Sequence, residues 1–361
     1  MVTNIYPPNS TTYQQAKKLL ENDELVVFPT ETIYGLGANA LSDEAAKKIF
    51  QLKGRPNDNP LIVHLGDKEQ IADYAEIENE IQQTIIDKLM PWPITLLLKK
   101  KKKLISPIVC PVDYVGIRLP SNQIAQEFLQ TVKLPIAAPS ANISGKPSPT
   151  NAKMVYDNLW DKVPMIIDGG ESEAGIESTV VMVDCTPCQS LSWIEWRRGR
   201  GEGVIQILRP GFVTKEDLEK LFNHKITVEY TTNNPELSPG MRYRHYGISG
   251  KVVLISPHIH PGGKSTTYSP PGWHGGSIGY LITQEFYDQH QPFFSPLLQQ
   301  NNVLIKIRGT HKNLATCAHN LFDCYHYFDK ENVDLLYVEQ LPEIWIGYSI
   351  MNRVKRSAEL H

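Results

Sequence analysis

The sequence predicts an α/β protein of two domains, the first built on a mixed sheet and the second smaller. Three observations carry this. Strand-like and helix-like patterns alternate through the first 230 residues, as they do where helices pack on a sheet. A polar stretch with two prolines, 231–240, interrupts the alternation, and from Lys251 the same pattern restarts. The length, 361 residues, suits two domains at about 100–200 residues each.

Along the chain, Thr12–Leu20 places Tyr13, Ala16, Leu19 and Leu20 on one helical face, and Glu24–Phe28 reads as a buried strand. The turn-rich Pro29-Thr-Glu-Thr-Ile-Tyr-Gly-Leu-Gly37 leads to a helix opening at Ser42 or Asp43 and running to about Lys53. Strands are predicted over 61–65, 94–99, 114–119, 134–138, 165–168 and 178–184, with helices near 78–90, 122–132 and 150–159. The strands flanking the lysine run Lys99–Lys103 read as antiparallel, which makes the sheet mixed. Thr214 and Asp217 have capping-box spacing, predicting a short helix Thr214–Phe222, and a strand follows near 226–230. In the second domain strands fall at 252–255, 278–282, 303–307 and 335–338, with a helix near 312–328. The domains therefore divide as 1–230, a linker 231–249 and 250–361.

Charge excludes one class of function. Lys plus Arg total 36 against 39 Asp plus Glu, a net charge of −3, so the chain is not a globally basic nucleic-acid coat. No run approaches the 18 or more apolar residues of a membrane helix, and Met1–Leu20 is polar and amphipathic rather than a secretory leader. The expectation is a cytoplasmic protein. Five cysteines, odd in number and sparse, argue for reduced thiols over a disulfide framework.

Several segments carry chemistry. Lys53-Gly-Arg55-Pro-Asn-Asp-Asn59-Pro60 sets two cations where a helix gives way to a loop stiffened by prolines. Such a pair suits a polyphosphate, Arg binding bidentately and Lys as a point charge; a solvated helix end is the plainer reading. In Ala137-Ala138-Pro-Ser140-Ala-Asn142-Ile-Ser-Gly-Lys-Pro-Ser148-Pro-Thr150 a strand ends in small and hydroxyl residues before a helix, as at the ligand-binding strand ends of α/β sheets. A Ser/Pro loop with an N-cap would read the same. Arg118, inside a predicted strand, needs a partner: a ligand carboxylate or an internal acid. Gly175-Ile-Glu-Ser178-Thr179 brings hydroxyls to a strand entrance, and Leu208-Arg209-Pro-Gly211 puts another cation at a strand end.

Other signals fail. Gly35-Leu-Gly37 lacks the acidic residue that a dinucleotide site needs about 20 residues on, and Gly263-Lys-Ser265 has His258 where a phosphate-binding loop needs glycine. Cys185 and Cys188 have no second pair at zinc spacing, and His258 with His260 has no third ligand, so no metal site is assigned. The lysine run and the basic 197–200 stretch are either solvated or an RNA contact.

Taken in order, these segments resemble the YrdC-type threonylcarbamoyl-adenylate synthases. The matching stretches are Phe28–Gly37, Lys53-Gly-Arg-Pro, Asn59-Pro-Leu-Ile-Val-His64, Ala138-Pro-Ser-Ala-Asn142, Gly175–Thr179 and Leu208–Gly211. Ser238-Pro-Gly-Met-Arg-Tyr243-Arg-His245-Tyr246 resembles the linker of the long, two-domain form, and Ile346–Ala358 the end of its smaller domain. The resemblance implies a YrdC-like twisted mixed-sheet domain and a Rossmann-like α/β C-terminal domain. It implies condensation of L-threonine, bicarbonate or CO2, and ATP with Mg²⁺ to threonylcarbamoyl-AMP and pyrophosphate. A separate threonylcarbamoyl transferase would then use the product on tRNA.

On the family's pattern, Thr32, His64, Arg118, Ala138 and Ser178 would line the threonine pocket. Lys53 and Arg55 would be catalytic, and Arg55, Asn59, Ser140, Asn142, Ser148, Arg209 and Tyr243 would contact ATP. Ser238 and His245, with Tyr243, would belong to a linker that closes as a lid. This chain departs from the family at Trp92, where a glycine is usual, at Gly247-Ile248, and in an apparent insertion over 187–205. Two rival readings are an RNA-binding module without catalysis and a carbamoyl-adenylate domain of the hydrogenase-maturation type; the latter lacks its expected zinc-finger cysteine pairs.

Overall fold

The computed structural model describes residues 2–56, 59–101, 105–184, 203–231, 246–256 and 276–358. They fall into two compact units. The first draws on Met1–Ser144, Pro149–Glu173 and Glu177–Tyr243, the second on Gly145–Ser148, Ala174–Ile176 and Arg244–His361. The division at 243/244 lies within the stretch expected to be a linker.

The first unit opens with β1 (Asn4–Tyr6) and α1 (Ser10–Glu21), whose N-cap Asn9 accepts the Thr12 N–H and whose buried face includes Tyr13, Ala16 and Leu20. β2 (Val26–Phe28) and β3 (Gly35–Asn39) follow, then α2 (Asp43–Lys53), capped by Ser42 and closed by Gly54 in the left-handed region. After β4 (Ile62–His64) come a 3₁₀ turn, Lys68–Gln70, α3 (Ile71–Tyr74), β5 (Ala75–Glu76) and α4 (Glu80–Leu89). β6 (Ile94–Lys100) and β7 (Tyr114–Arg118) are the antiparallel pair expected around the lysines. The unit continues with α5 (Gln123–Val132), β8 (Ile136–Ala137), α6 (Ala152–Leu159), β9 (Met165–Ile167), β10 (Thr179–Asp184) and β11 (Val204–Arg209). It ends with α7 (Lys215–Leu221), where Thr214 and Asp217 form the expected capping box, and β12 (Thr227–Tyr230).

These strands form one mixed sheet in the order β1-β9-β2-β3-β8-β4-β7-β6-β10-β11-β12, with β5 beside β6. β3 was not expected from a Gly-Leu-Gly-Ala-Asn run poor in β-branched residues. Its neighbours impose the strand: a Cβ on Gly37 would lie 2.9 Å from Ile136 Cγ2 and 3.0 Å from the Phe28 ring. The α6 N-cap is Asn151, one residue later than the expected Thr150.

The two faces of the sheet differ. Val63, Leu96, Leu98, Ile117, Val181 and Ile207 point into the main core with helix residues such as Ile49, Ile81 and Ile85. On the opposite face Ile62, Leu97, Val180 and Leu208 make only a small apolar cluster. The site lies on this second face.

The second unit is a four-stranded parallel sheet, β13 (Lys251–Ile255), β14 (Ile278–Ile282), β15 (Val303–Ile307) and β16 (Leu335–Glu339), in the order β13-β16-β14-β15. Parallel sheets carry helices on both faces. Here α8 (Gln284–Gln289) and α9 (Gln291–Leu297) bring Phe286 and Phe294 against Tyr280 and Tyr337. On the other face α10 (Leu314–Lys330) lays Phe328 over Gly279, where an added Cβ would lie 2.7 Å from its ring. α11 (Ile346–Ala358), which burial of Ile350, Met351 and Val354 holds down, packs on α10 and β13. Thr283, Arg308 and Glu339 sit at the carboxyl ends of the strands, and Glu339 is fully buried.

Candidate active site

In the first unit β4, β7 and β11 end, and β6 and β10 begin, at one edge of the sheet. The register pairs His64 with Arg118, Leu96 with Ile117, and Val180 with both Thr95 and Arg209. One step from Leu96–Ile117, Thr95 faces Arg118. A single row, His64–Arg118–Thr95–Val180–Arg209, therefore crosses five strands, a bulge at Leu208 bringing Arg209 opposite Val180. Alternation fixes the face. A Cβ on Gly116 would meet Thr95 Cγ2 at 3.1 Å and Ile62 Cγ1 at 3.6 Å, so His64 and Arg118, two residues on, project to the same side. Glycine at 116 lets Thr95 and Ile62 close on the backbone beside them.

Arg118 is 4% exposed, and its three hydrogen bonds all leave from Nη2: to Glu31 Oε1 and Thr32 Oγ1 at 2.8 Å and to Thr30 Oγ1 at 3.4 Å. The internal acid that a buried arginine requires is thus Glu31, in the turn between β2 and β3. The pair is incomplete: Arg118 Nε and Glu31 Oε2 are buried with no hydrogen-bond partner. His64 sets its ring edge on Phe28 at 5.8 Å, and Nδ1 lies 3.3 Å from the Ile62 carbonyl. Burial first, then the Arg118 charge, pull its pKa down to about 3, so it is a neutral imidazole near pH 7.

At the other end of the row, Arg209 Nε and Nη2 donate to the Ser178 carbonyl at 3.2 and 2.9 Å, and Nη2 reaches Ser178 Oγ at 3.1 Å. Ser178 Oγ lies 2.8 Å from Thr95 Oγ1, which carries the polar chain back toward Arg118. The Pro-Gly turn after Arg209 folds directly on this segment, since a Cβ on Gly211 would sit 2.3 Å from the Thr179 nitrogen.

The Lys53–Arg55 pair arises at the end of α2. Gly54 at φ +62° closes the helix with its N–H toward the Phe50 and Gln51 carbonyls, and the Arg55 N–H returns to Phe50 O at 3.1 Å. Lys53 therefore points to one loop and Arg55 opens the next. Lys53 Nζ donates to the Ser140 and Asn142 carbonyls at 2.6 and 2.5 Å, fastening the turn after β8. Burial, then the neighbouring Arg55 charge, hold its pKa well below the ordinary lysine value. Arg55 Nη2 reaches the Asn59 and Pro60 carbonyls at 3.4 and 3.3 Å. Asn142 Nδ2 donates to the Ile143 carbonyl at 2.8 Å; Ala138 N–H donates to Ile62 O of β4 at 2.9 Å, while Pro139 O accepts the Leu36 N–H and Ala141 N–H donates to Tyr34 O on the β3 side.

The structure thus brings Thr32, His64, Arg118, Ala138, Ser178 and Arg209 to the sheet face and its bordering turns, and gathers Lys53, Arg55, Asn59, Ser140 and Asn142 around the α2 terminus. Ser148 is buried, but in the 145–148 segment that groups with the second unit. Ser238, Tyr243 and His245, like Cys185, Cys188, His258, His260 and residues 197–200, lie outside the described residues. Sequence reasoning missed Glu31 and Thr95. Glu31 stood in a quoted motif, but nothing in its spacing pointed to a partner 87 residues away.

Of the lysine run, Lys99 pairs with Glu76 and Glu78 at 3.0 and 3.7 Å, Lys100 and Lys101 donate to the Cys110 and Ala72 carbonyls, and Lys102 and Lys103 lie outside the described residues. Trp92 is half exposed, its N–H on the Leu119 carbonyl. Cys110, Cys317 and Cys324 are buried free thiols. A groove of about 580 Å³ beside Glu24, Lys48 and Lys162 shares no residue with the row, and Lys48 there is paired with Glu24 at 2.7 Å. Among the described residues no three His, Cys, Asp or Glu side chains gather as a metal site, and no helix is long and apolar enough to cross a membrane.

Known proteins resemble this chain over nearly its whole length. Residues 18–192 match the Sua5/YciO/YrdC family model described as "Telomere recombination", and residues 213–359 match the model "Threonylcarbamoyl-AMP synthase, C-terminal domain". The Bacillus subtilis threonylcarbamoyl-AMP synthase is 34% identical over 360 residues, covering 99% of this chain and 96% of its own. The Pyrococcus abyssi threonylcarbamoyl-AMP synthase is 34% identical, with 95% and 93% covered. The crystal structure of P. abyssi Sua5 complexed with L-threonine superposes with a TM-score of 0.79 at 30% identity, covering 99% and 98% of the two chains. The chain belongs to the long, two-domain form of the YrdC-type threonylcarbamoyl-AMP synthases, enzymes of the nucleotidyltransferase type that make an AMP-linked product.

Proposed function

We propose that L-threonine, bicarbonate or CO2, and ATP are condensed on the His64–Arg209 face to threonylcarbamoyl-AMP and pyrophosphate. The observation that carries this reading is Arg118: a buried arginine with Nε unmatched, on the polar face of the sheet, beside hydroxyls and the bare backbone of Gly116. It takes the amino-acid carboxylate, with Thr32, His64, Ala138 and Ser178 around the rest of the molecule. His64, kept neutral, can exchange a hydrogen bond there without adding a second cation beside Arg118.

Carbamylated threonine attacks the α-phosphorus and pyrophosphate leaves, so negative charge gathers on phosphate oxygens. Arg55 and Arg209 meet that charge, and fixed cations in a dry site act far more strongly than in water. Asn59, Ser140, Asn142, Ser148 and Tyr243 would complete the nucleotide contacts. Lys53 serves the site through the loop, since its ammonium is held by the Ser140 and Asn142 carbonyls. No side chain need become a covalent nucleophile; catalysis is positioning and electrostatics. Mg²⁺ held by the ATP phosphates would supply further charge neutralisation there. Ser238, Tyr243 and His245 close over the labile adenylate as a lid, and the product passes in the cytoplasm to a separate transferase acting on tRNA.

Purified full-length protein, given ATP, Mg²⁺, bicarbonate and each amino acid in turn, should release pyrophosphate with threonine. Release independent of threonine, or none at all, would sink the reading.

A further inference from the structure

We propose that Glu31 is the group that holds the α-ammonium of the amino-acid substrate, so that Glu31 and Arg118 together read its two charges. The inference rests on the threonine reading above and extends it to Glu31, which that reading leaves without a role.

Glu31 and Arg118 are 3% and 4% exposed and joined by one contact, Oε1 to Nη2 at 2.8 Å. Glu31 Oε2 and Arg118 Nε are buried and have no partner, and the guanidinium's three hydrogen bonds leave from Nη2 rather than Nη1. A buried polar atom left unmatched is costly, and the cost is greatest for charged groups. The two unmatched atoms are of opposite kind, one acceptor and one donor, on adjacent groups of opposite charge. The ligand that satisfies both carries an anionic acceptor and a cationic donor a short distance apart, which describes an α-amino acid.

Charge balance points the same way. The pair is neutral as it stands, so a zwitterion entering antiparallel, carboxylate to Arg118 and ammonium to Glu31, buries four charges in alternation with none in excess. A simple anion would match Arg118 but face the Glu31 carboxylate, and a simple cation would meet the reverse. Glu31, Thr30 and Thr32 together occupy Nη2, which leaves Nε and Nη1 for the ligand.

The test is binding of L-threonine and of 3-hydroxybutyrate, the same molecule without its amine, to the full-length protein and to Glu31→Gln and Glu31→Asp. Calorimetry serves the tighter ligand and ligand-observed NMR the weaker one. Glu31→Gln should weaken threonine at least tenfold while moving 3-hydroxybutyrate by less than threefold or tightening it, because the amide no longer repels its carboxylate. Glu31→Asp, which keeps the charge, should recover part of the threonine affinity. Equal weakening of both ligands would overturn the proposal, leaving Glu31 only a brace for Arg118, and so would unchanged threonine affinity in Glu31→Gln. If wild-type protein binds no threonine, the underlying reading falls and takes this proposal with it, an outcome visible before any variant is made.

Discussion

Glu31 and Glu339 are both buried beside strand ends, and their surroundings differ. In the second unit Glu339 is saturated: Oε2 accepts the Thr283 N–H at 2.6 Å, and Oε1 receives Thr283 Oγ1 at 3.1 Å and His311 Nε2 at 2.7 Å. In the first unit Glu31 has one partner on one oxygen and none on the other. A closed network joins β14, β16 and the loop before α10 and leaves nothing for a ligand to complete. An open one is unfinished until something binds. The arginines are less tidy, since Arg308 gives Nη2 to the Glu339 carbonyl while its Nε and Nη1 stay unmatched. Burial of charge alone, then, does not mark a site; complementary unmatched atoms do.

The contrast can be broken most severely at Arg118. Arg118→Ala leaves Glu31 buried without its counter-charge, a change that typically costs about 3–5 kcal/mol of stability. Threonine affinity should also fall, by about 1.5–3 kcal/mol for a lost charge-assisted contact. Denaturant unfolding and threonine titration read the two effects, and adding Glu31→Ala should restore much of the stability but none of the binding. An Arg118→Ala protein as stable as wild type would mean that the pair is not buried as described.

In the second unit the corresponding change should run the other way. Arg308→Met removes a buried guanidinium with one backbone acceptor and two unmet donors, and relief of those donors against one lost hydrogen bond should stabilise the protein by about 1–2 kcal/mol. Threonine binding should not change. A lower melting temperature would show that Arg308 holds more than the Glu339 carbonyl.

Acid sharpens the comparison further. His64 has a folded pKa depressed from 6.5 to about 3, so between those values the unfolded chain binds a proton that the folded chain refuses. Its contribution is fully present above pH 6.5 and shrinks as pH falls, at up to about 1.4 kcal/mol per unit. Unfolding measured from pH 7 to 5 should show that slope, and His64→Gln should flatten it. The smallest effect is expected at Thr283. Thr283→Val removes both a donor to Glu339 and the N-cap of α8, and should cost about 1–2 kcal/mol with no change in threonine affinity.

How much of this could be read from the chain depended on what kind of signal each residue gave. Arg118, Arg209, Lys53 and Arg55 declared themselves because a cation at a strand or helix end demands an explanation. The capping box at Thr214 and the antiparallel pair around the lysines follow from local pattern and are present as expected. β3 was illegible because its glycines answer to Phe28 and Ile136 rather than to strand propensity. The row from His64 to Arg209 was illegible for a different reason: it depends on which strands are neighbours and in what register, and no single segment holds that information. Glu31 combined both difficulties, an acid among turn residues whose meaning lies in a strand 87 residues on.

Gly211 has a consequence for how the molecule tolerates change. Because the turn after Arg209 rests on the Ser178–Thr179 backbone with no room for a side chain, and because β10 and β11 are registered by their own ladder, the position of Arg209 is set locally at both ends. A side chain at 211 would therefore displace the guanidinium before it disturbed the strands that carry it.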